Sequence, residues 1–194
     1  LWLTLAARVA FMSYFVELPD GADGGLGRVW KCLQVVHERV QKKRDFLPTG
    51  PMEFRFVRGG DTALAGTYSE RPEARFVNLD ILSFVEQEPV DHYPQAMLDF
   101  YADIERRWYG EFGGLPHNGK MYGFFDPSAG DRGMAMPPFA TGYLEDLAKR
   151  RGERLEAFER YRSRCDPQGI FCNDFLHRLT LGRSGAGRQG EERT

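Results

Sequence analysis

Hydrophobic and polar residues alternate with a period of two through residues 51–57 (PMEFRFV), so that Met52, Phe54 and Phe56 fall on one face and Glu53, Arg55 and Val57 on the other. The pattern predicts a strand whose apolar face turns to a core and whose other face carries a carboxylate and a guanidinium, close enough to share a ligand. Residues 8–16 (RVAFMSYFV) are aromatic-rich and predict an earlier strand, stopped by Pro19 and the Asp- and Gly-rich run that follows. From Leu26 onward Val29, Leu33, Val36 and Val40 recur at helical spacing and predict an amphipathic helix ending in a basic turn at residues 41–44. Residues 74–84 alternate again, with Phe76, Asn78 and Asp80 opposed to Val77, Leu79 and Ile81. A second helix is expected from an N-cap at Asp91, with Pro94 in its first turn, a stripe of Met97, Tyr101, Ile104 and Trp108, and a stop at Gly113-Gly114. A fourth strand is expected within residues 117–125.

The resulting order is strand, helix, strand, strand, helix, strand. This split βαβ, ferredoxin-like pattern predicts an α+β fold, an antiparallel sheet with helices packed on one face, plus a C-terminal helical tail. Residues 126–138, rich in Gly, Pro, Ser and Met, read as a loop or mobile lid. Helix is expected to resume near Tyr143, with an apolar face of Leu144, Leu147, Leu155, Phe158 and Tyr161, a kink at Gly152 and a stop at residues 166–169. Residues 170–176 read as a packed terminal segment, and the Gly, Arg, Ser and Glu composition beyond Leu181 as a fraying end.

Length and charge narrow the function classes. A chain of 194 residues with ordinary apolar content buries a real core, and a net charge of −2 with interspersed signs gives no field directed at nucleic acid. The longest apolar run, near residues 9–16, is too short to span a bilayer. Residue 1 is Leu, and the opening residues lack the basic lead of a secretory signal, which suggests the interior of a longer polypeptide. Cys32, Cys165 and Cys172 are odd in number and without metal-ligand spacing. Free thiols in a reducing, cytoplasmic compartment fit them best, with membrane association left open.

Candidate chemistry starts with Glu53 and Arg55. A solvated outer face would explain them, but the following strand puts Asn78 and Asp80 on one side, which would make a polar floor rather than an exterior. Arg suits a bidentate grip on polar oxygens and Glu accepts from hydroxyls, and burying either alone is costly. His117 and Lys120 follow a helix end in a Gly-rich turn, where backbone can approach a ligand closely or simply connect two elements. The four histidines lie in separate elements, so no metal is expected, and the chain has no GxGxxG, P-loop or GxSxG motif.

Three segments in order, residues 51–57 (PMEFRFV), 112–120 (FGGLPHNGK) and 165–176 (CDPQGIFCNDFL), resemble the C-terminal half of the sugar-lactone and alditol oxidases, flavoproteins of the vanillyl-alcohol-oxidase superfamily that include D-arabinono-1,4-lactone oxidase. The family pattern is E-x-R on a strand, G-G-x-P-H-x-x-K after a helix and D-P-x-G-x-F-x-N near the end. Departures are Asn118, where an aromatic residue is common, and a longer segment at 126–141.

The resemblance implies an oxidoreductase that uses FAD, bound mainly by an upstream segment absent from this chain, and that oxidises a polyol or lactone with oxygen or another electron acceptor. It assigns catalytic positions to Glu53, Arg55 and Lys120 and matches His117 to the histidine of the same turn; Asn78 and Asp80, taken from the strand alternation, and Asn173, from the third segment, are expected near substrate or flavin as well. Residues 1–140 would then form a substrate-binding or cap domain, 141–180 a helix and tail that pack on the missing flavin domain, and 181–194 a disordered tail. A noncatalytic α+β ligand-binding or interaction module, and an oxidase of the same architecture acting on a sterol-like alcohol, remain the alternatives; Met134, Met136 and Phe139 suggest the latter.

Overall fold

The computed structural model describes residues 8–85 and 93–181. The described elements are β1 (Arg8–Leu18), α1 (Leu26–Lys42), β2 (Met52–Arg58), β3 (Arg75–Val85), α2 (Gln95–Glu105) and β4 (Leu115–Pro116), followed by α3 (Thr141–Arg151), α4 (Glu153–Cys165) and α5 (Asp174–Leu181). The four strands form one antiparallel sheet in the order β2-β3-β1-β4. This is the α+β architecture the strand and helix order predicts. Asp91 and the tail beyond Leu181 lie outside the described residues.

The two long central strands explain most of the core. On β1 the residues Ala10, Met12, Tyr14, Val16 and Leu18 point to the helix side and are all buried. They pair with Ser83, Ile81, Leu79, Val77 and Arg75 of β3, so in an antiparallel ladder the inward residues of both strands share one face. Against that face pack Val29, Cys32 and Val35 of α1 and Met97, Tyr101 and Ile104 of α2. The Trp108 indole N–H donates to the Cys32 carbonyl at 3.0 Å and ties the two helices together. Tyr143, Leu144 and Leu147 of α3 belong to the same core.

Helix α2 runs on through a wide π-helical turn at Arg106–Glu111 before the chain reverses at Gly113-Gly114. Gly114 has to be glycine on contact grounds: a Cβ there would lie 2.8 Å from the Trp108 carbonyl oxygen. That tight passage delivers Leu115 and Pro116 onto β1 as the edge strand β4. The expected strand at 117–125 is not formed. Only an isolated bridge links Met121 to Met12, because the Gly119 and Gly123 turns take the chain off the sheet edge.

Three packing expectations are corrected. Of the apolar face of β2 only Met52 packs against the core: Phe54 and Phe56 are 48% and 55% exposed, because β2 is the outer strand and no helix among the described residues covers them. The two rings contact each other edge-on at 6.1 Å instead. Tyr161 does not join the apolar face of the C-terminal helices, and Ile170 and Phe171 are exposed rather than packed. The segment at 126–138 contains a 3-10 turn, Pro127–Arg132, capped by Asp126, whose carboxylate accepts from Ser128 N at 2.8 Å. The Met136 and Phe139 amides donate to Phe124 and Tyr122, each at 2.7 Å, so this loop is pinned to the body.

Candidate functional site

The sheet face opposite the helices carries the polar residues. Register sets Glu53 opposite Asp80 and Arg55 opposite Asn78, and sets Ser13 and Phe15 of β1 opposite Asp80 and Asn78. Alternation therefore brings all six side chains to one face, and β3, flanked on both sides, buries Asn78 and Asp80 where an edge strand would have solvated them.

A cavity of about 520 Å3 lies on this face. It is lined by Glu53, Arg55, Asn78, Asp80, His117 and Lys120, with Phe11, Ser13 and Phe15 as its β1 wall. Six of the seven residues singled out from the sequence thus converge. Asn173 does not: its side chain accepts from Leu176 N at 2.8 Å and begins α5 away from this cavity.

Electrostatics in the cavity differ from the simplest sequence expectation. Arg55 does not pair with Glu53; its guanidinium donates to Asp80, whose side chain is fully buried while that of Arg55 is 60% exposed. Asn78 Nδ2 donates to Asp80 Oδ1 at 3.0 Å and to Ser13 Oγ at 2.8 Å, so the buried carboxylate is held from two directions. Asp80 anchors one end of the guanidinium, leaving N–H groups of Arg55 open to the cavity. Glu53 makes no ion pair among the described residues and stays an uncommitted acceptor.

The second half of the site arrives on the arm after β4. His117 N donates to Ser13 O at 2.9 Å, and the imidazole stacks on Phe15 with ring centroids 5.7 Å apart. His117 Nδ1 accepts from Gly119 N at 3.0 Å, so in the neutral ring the proton sits on Nε2. Lys120 Nζ lies 4.0 Å from the centroid of the Phe11 ring, a cation held over an aromatic face with no carboxylate ion pair of its own among the described residues. Asn118 turns away from the cavity. Its Nδ2 donates to Leu64 O at 2.9 Å and its Oδ1 accepts from Arg151 at 2.5 Å, which anchors the arm from behind.

A second cavity of about 540 Å3 adjoins the first through Phe11 and Lys120. Its wall is mostly apolar: Val9, Met121, Phe139 and Phe175. Phe139 holds a left-handed backbone, φ 68°, which is costly for an aromatic residue, and its ring packs against Tyr122 and Phe175.

Sequence reasoning missed Ser13, Phe11 and Phe15, which look like ordinary strand residues until β3 is laid beside them. It also missed Glu105. This carboxylate is fully buried on the helix side, accepts from the Tyr14 hydroxyl and from Gly123 N and Phe124 N at 2.7 and 2.6 Å, and has its pKa pushed up to about 7 by burial. The available signal was its spacing, four residues after Tyr101 and three before Trp108, a core position carrying a charge.

A family model described as D-arabinono-1,4-lactone oxidase matches residues 26–179, most of the chain, including the β2, β3 and arm residues of the polar cavity but not its β1 wall. The chain belongs to this family. No curated protein matches it. Membership in the lactone oxidase family supports an oxidoreductase of the sugar-lactone oxidase type. Among the described residues no helix is long and apolar enough to cross a membrane.

Proposed function

We propose that this chain is the substrate-binding part of a FAD-dependent oxidoreductase that oxidises a secondary alcohol of a sugar lactone or alditol to the carbonyl, with oxygen or another acceptor completing the cycle. The observation that carries the reading is the convergence of Glu53, Arg55, Asn78, Asp80, His117 and Lys120 on one cavity. A polyhydroxylated substrate requires several acceptors and donors on one wall, and these residues supply both. Family membership supports the same class of donor.

Glu53, the uncommitted carboxylate, accepts from substrate hydroxyls and orients the sugar. Arg55, steadied by Asp80, presents its free N–H groups to the reacting oxygen. Lys120 supplies a point charge from the arm. Two fixed cations beside the alcohol oxygen stabilise the negative charge that grows there as its proton passes to solvent, and they do so without reorganising at the moment of reaction. The same donor set fits a flavin ring at the cavity mouth, since cations suit a ring that gains negative charge on reduction; Lys120, Arg55 and His117 are the residues that would face it. When bound, FAD would supply the electron sink for the two electrons of the carbinol oxidation.

The test uses the full polypeptide loaded with FAD. Arg55→Lys keeps the charge but loses the planar fork, so anaerobic flavin bleaching by a polyol or lactone is expected to slow by roughly one to three orders of magnitude. An unchanged rate overturns the site assignment. The apolar cavity beside Lys120 favours a second reading, an oxidase of the same architecture acting on a sterol-like alcohol. Saturation by a sterol-like alcohol together with indifference to sugars would select it.

A further inference from the structure

Glu105 touches neither cavity, yet it is bonded to both of the structural units that build the polar one. Its Oε1 accepts from the Tyr14 hydroxyl and from Gly123 N at 2.7 Å, and its Oε2 accepts from Phe124 N at 2.6 Å. Tyr14 sits in the middle of β1, between Ser13 and Phe15, which face the cavity, and its hydroxyl shares a further hydrogen bond of 2.5 Å with Tyr143 of α3. Gly123 and Phe124 close the arm that begins at His117 and carries Lys120.

A fully buried carboxylate is an expensive way to fill a helix position whose neighbours along the core stripe are Tyr101, Ile104 and Trp108. What it provides is an acceptor for two consecutive backbone N–H groups that no strand partner satisfies. The backbone at Gly123 has φ +76°, and a Cβ there would lie 3.2 Å from the Tyr143 ring, so the turn is pressed against α3 as well. The rest of the arm is tied to the outer side of β1 through His117 N to Ser13 O at 2.9 Å and Met121 N to Phe11 O at 2.8 Å. Lys120 thus lies between two ties to β1, at His117 and Met121, and Glu105 holds the turn that follows the second of them.

We infer that Glu105 is a positioning residue: its carboxylate clamps the Gly123–Phe124 turn and, together with the two ties of the arm to β1, sets where the Lys120 ammonium stands in the polar cavity. The inference rests on the proposed role of Lys120, and the experiment separates the two. In the full polypeptide loaded with FAD, Glu105→Gln keeps the size of the side chain but faces one of three donors with an NH2 group. Amide hydrogen exchange is expected to accelerate at least about tenfold in residues 117–124 and to change little elsewhere in the sheet. The kcat for a polyol or lactone, normalised to bound flavin, is expected to fall by about tenfold to a hundredfold, the scale of a misplaced catalytic group.

The discriminating arm is a cycle with Lys120→Met. If Glu105 acts through Lys120, adding Glu105→Gln to Lys120→Met leaves kcat within about twofold of the Lys120→Met value, and multiplicative losses overturn the inference. Tyr14→Phe, which leaves both backbone bonds to Glu105 in place, is expected to keep exchange in the arm within about threefold of wild type; loosening of the arm as large as that in Glu105→Gln would overturn the clamp. Unchanged exchange in Glu105→Gln also overturns it. A wild-type enzyme whose flavin no polyol or lactone reduces would refute the proposed function, while the exchange measurement would still decide the role of Glu105.

Discussion

Removing the guanidinium that holds Asp80 probes the floor of the site most directly. The Asp80 side chain is fully buried, with Arg55 as its ion-pair partner among the described residues and Asn78 Nδ2 as a neutral donor at 3.0 Å. Arg55→Met retains the stem and deletes the charge. Breaking a buried pair costs about 3–5 kcal/mol, and a hydrogen bond to a charged group is worth about 1.5–3 kcal/mol. With 60% of the Arg55 side chain exposed, water enters where the guanidinium leaves, so the lower range applies, about 1.5–3 kcal/mol. For a chain of this size that lowers Tm by roughly 3–12 °C. Asp80→Asn removes the buried charge and frees an already exposed arginine, so its cost should stay near 1 kcal/mol, and the double variant should match it. Thermal and denaturant melts of the four proteins give the coupling. A shift below about 1 °C for Arg55→Met, or costs that add within about 0.5 kcal/mol, would show that the pair contributes nothing to holding the floor.

The exposed face of β2 leads to a second expectation: Phe54→Ala costs about 1 kcal/mol or less, whereas Leu79→Ala in the buried β3 costs about 2–5 kcal/mol, as urea midpoints will report. For pH, burial raises the Glu105 carboxyl from 4.5 to about 7, so the folded state holds a proton that the unfolded chain releases. The resulting stability is present below pH 4.5 and is lost as pH rises through about 7, on the order of 3 kcal/mol in all, and Glu105→Gln should remove that slope from the stability curve. A slope unchanged by the substitution would mean that Glu105 titrates like an exposed carboxylate. Finally, an aromatic disulfide reagent should label exposed Cys165 in the native protein but spare Cys32, whose thiol burial pushes up to about 12. Equal labelling would refute the buried assignment.

Local patterning determined a large part of this protein. Side-chain alternation in a strand and the recurrence of apolar residues in a helix are short-range properties, so the order of elements and the faces of 51–57 and 74–84 could be read directly. The same alternation put Glu53 and Arg55 on one side and Asn78 and Asp80 on one side, and the antiparallel register then joined them. What the sequence could not carry was coverage. Phe54 and Phe56 alternate like core residues but stand on an edge strand outside the helix layer, a fact set by strand order and not by their own neighbours. Partner choice was equally non-local. Arg55 lies two residues from Glu53 yet bonds Asp80, twenty-five positions away, because the ladder brings the buried carboxylate alongside and a buried charge requires a partner more than an exposed one does. Glu105 is the extreme case: a carboxylate in an apolar helical stripe reads as a misplaced surface residue until β1 and the arm close around it and supply three donors. Periodicity assigns a residue to a face, whereas burial and pairing depend on which distant segment the tertiary fold lays against that face.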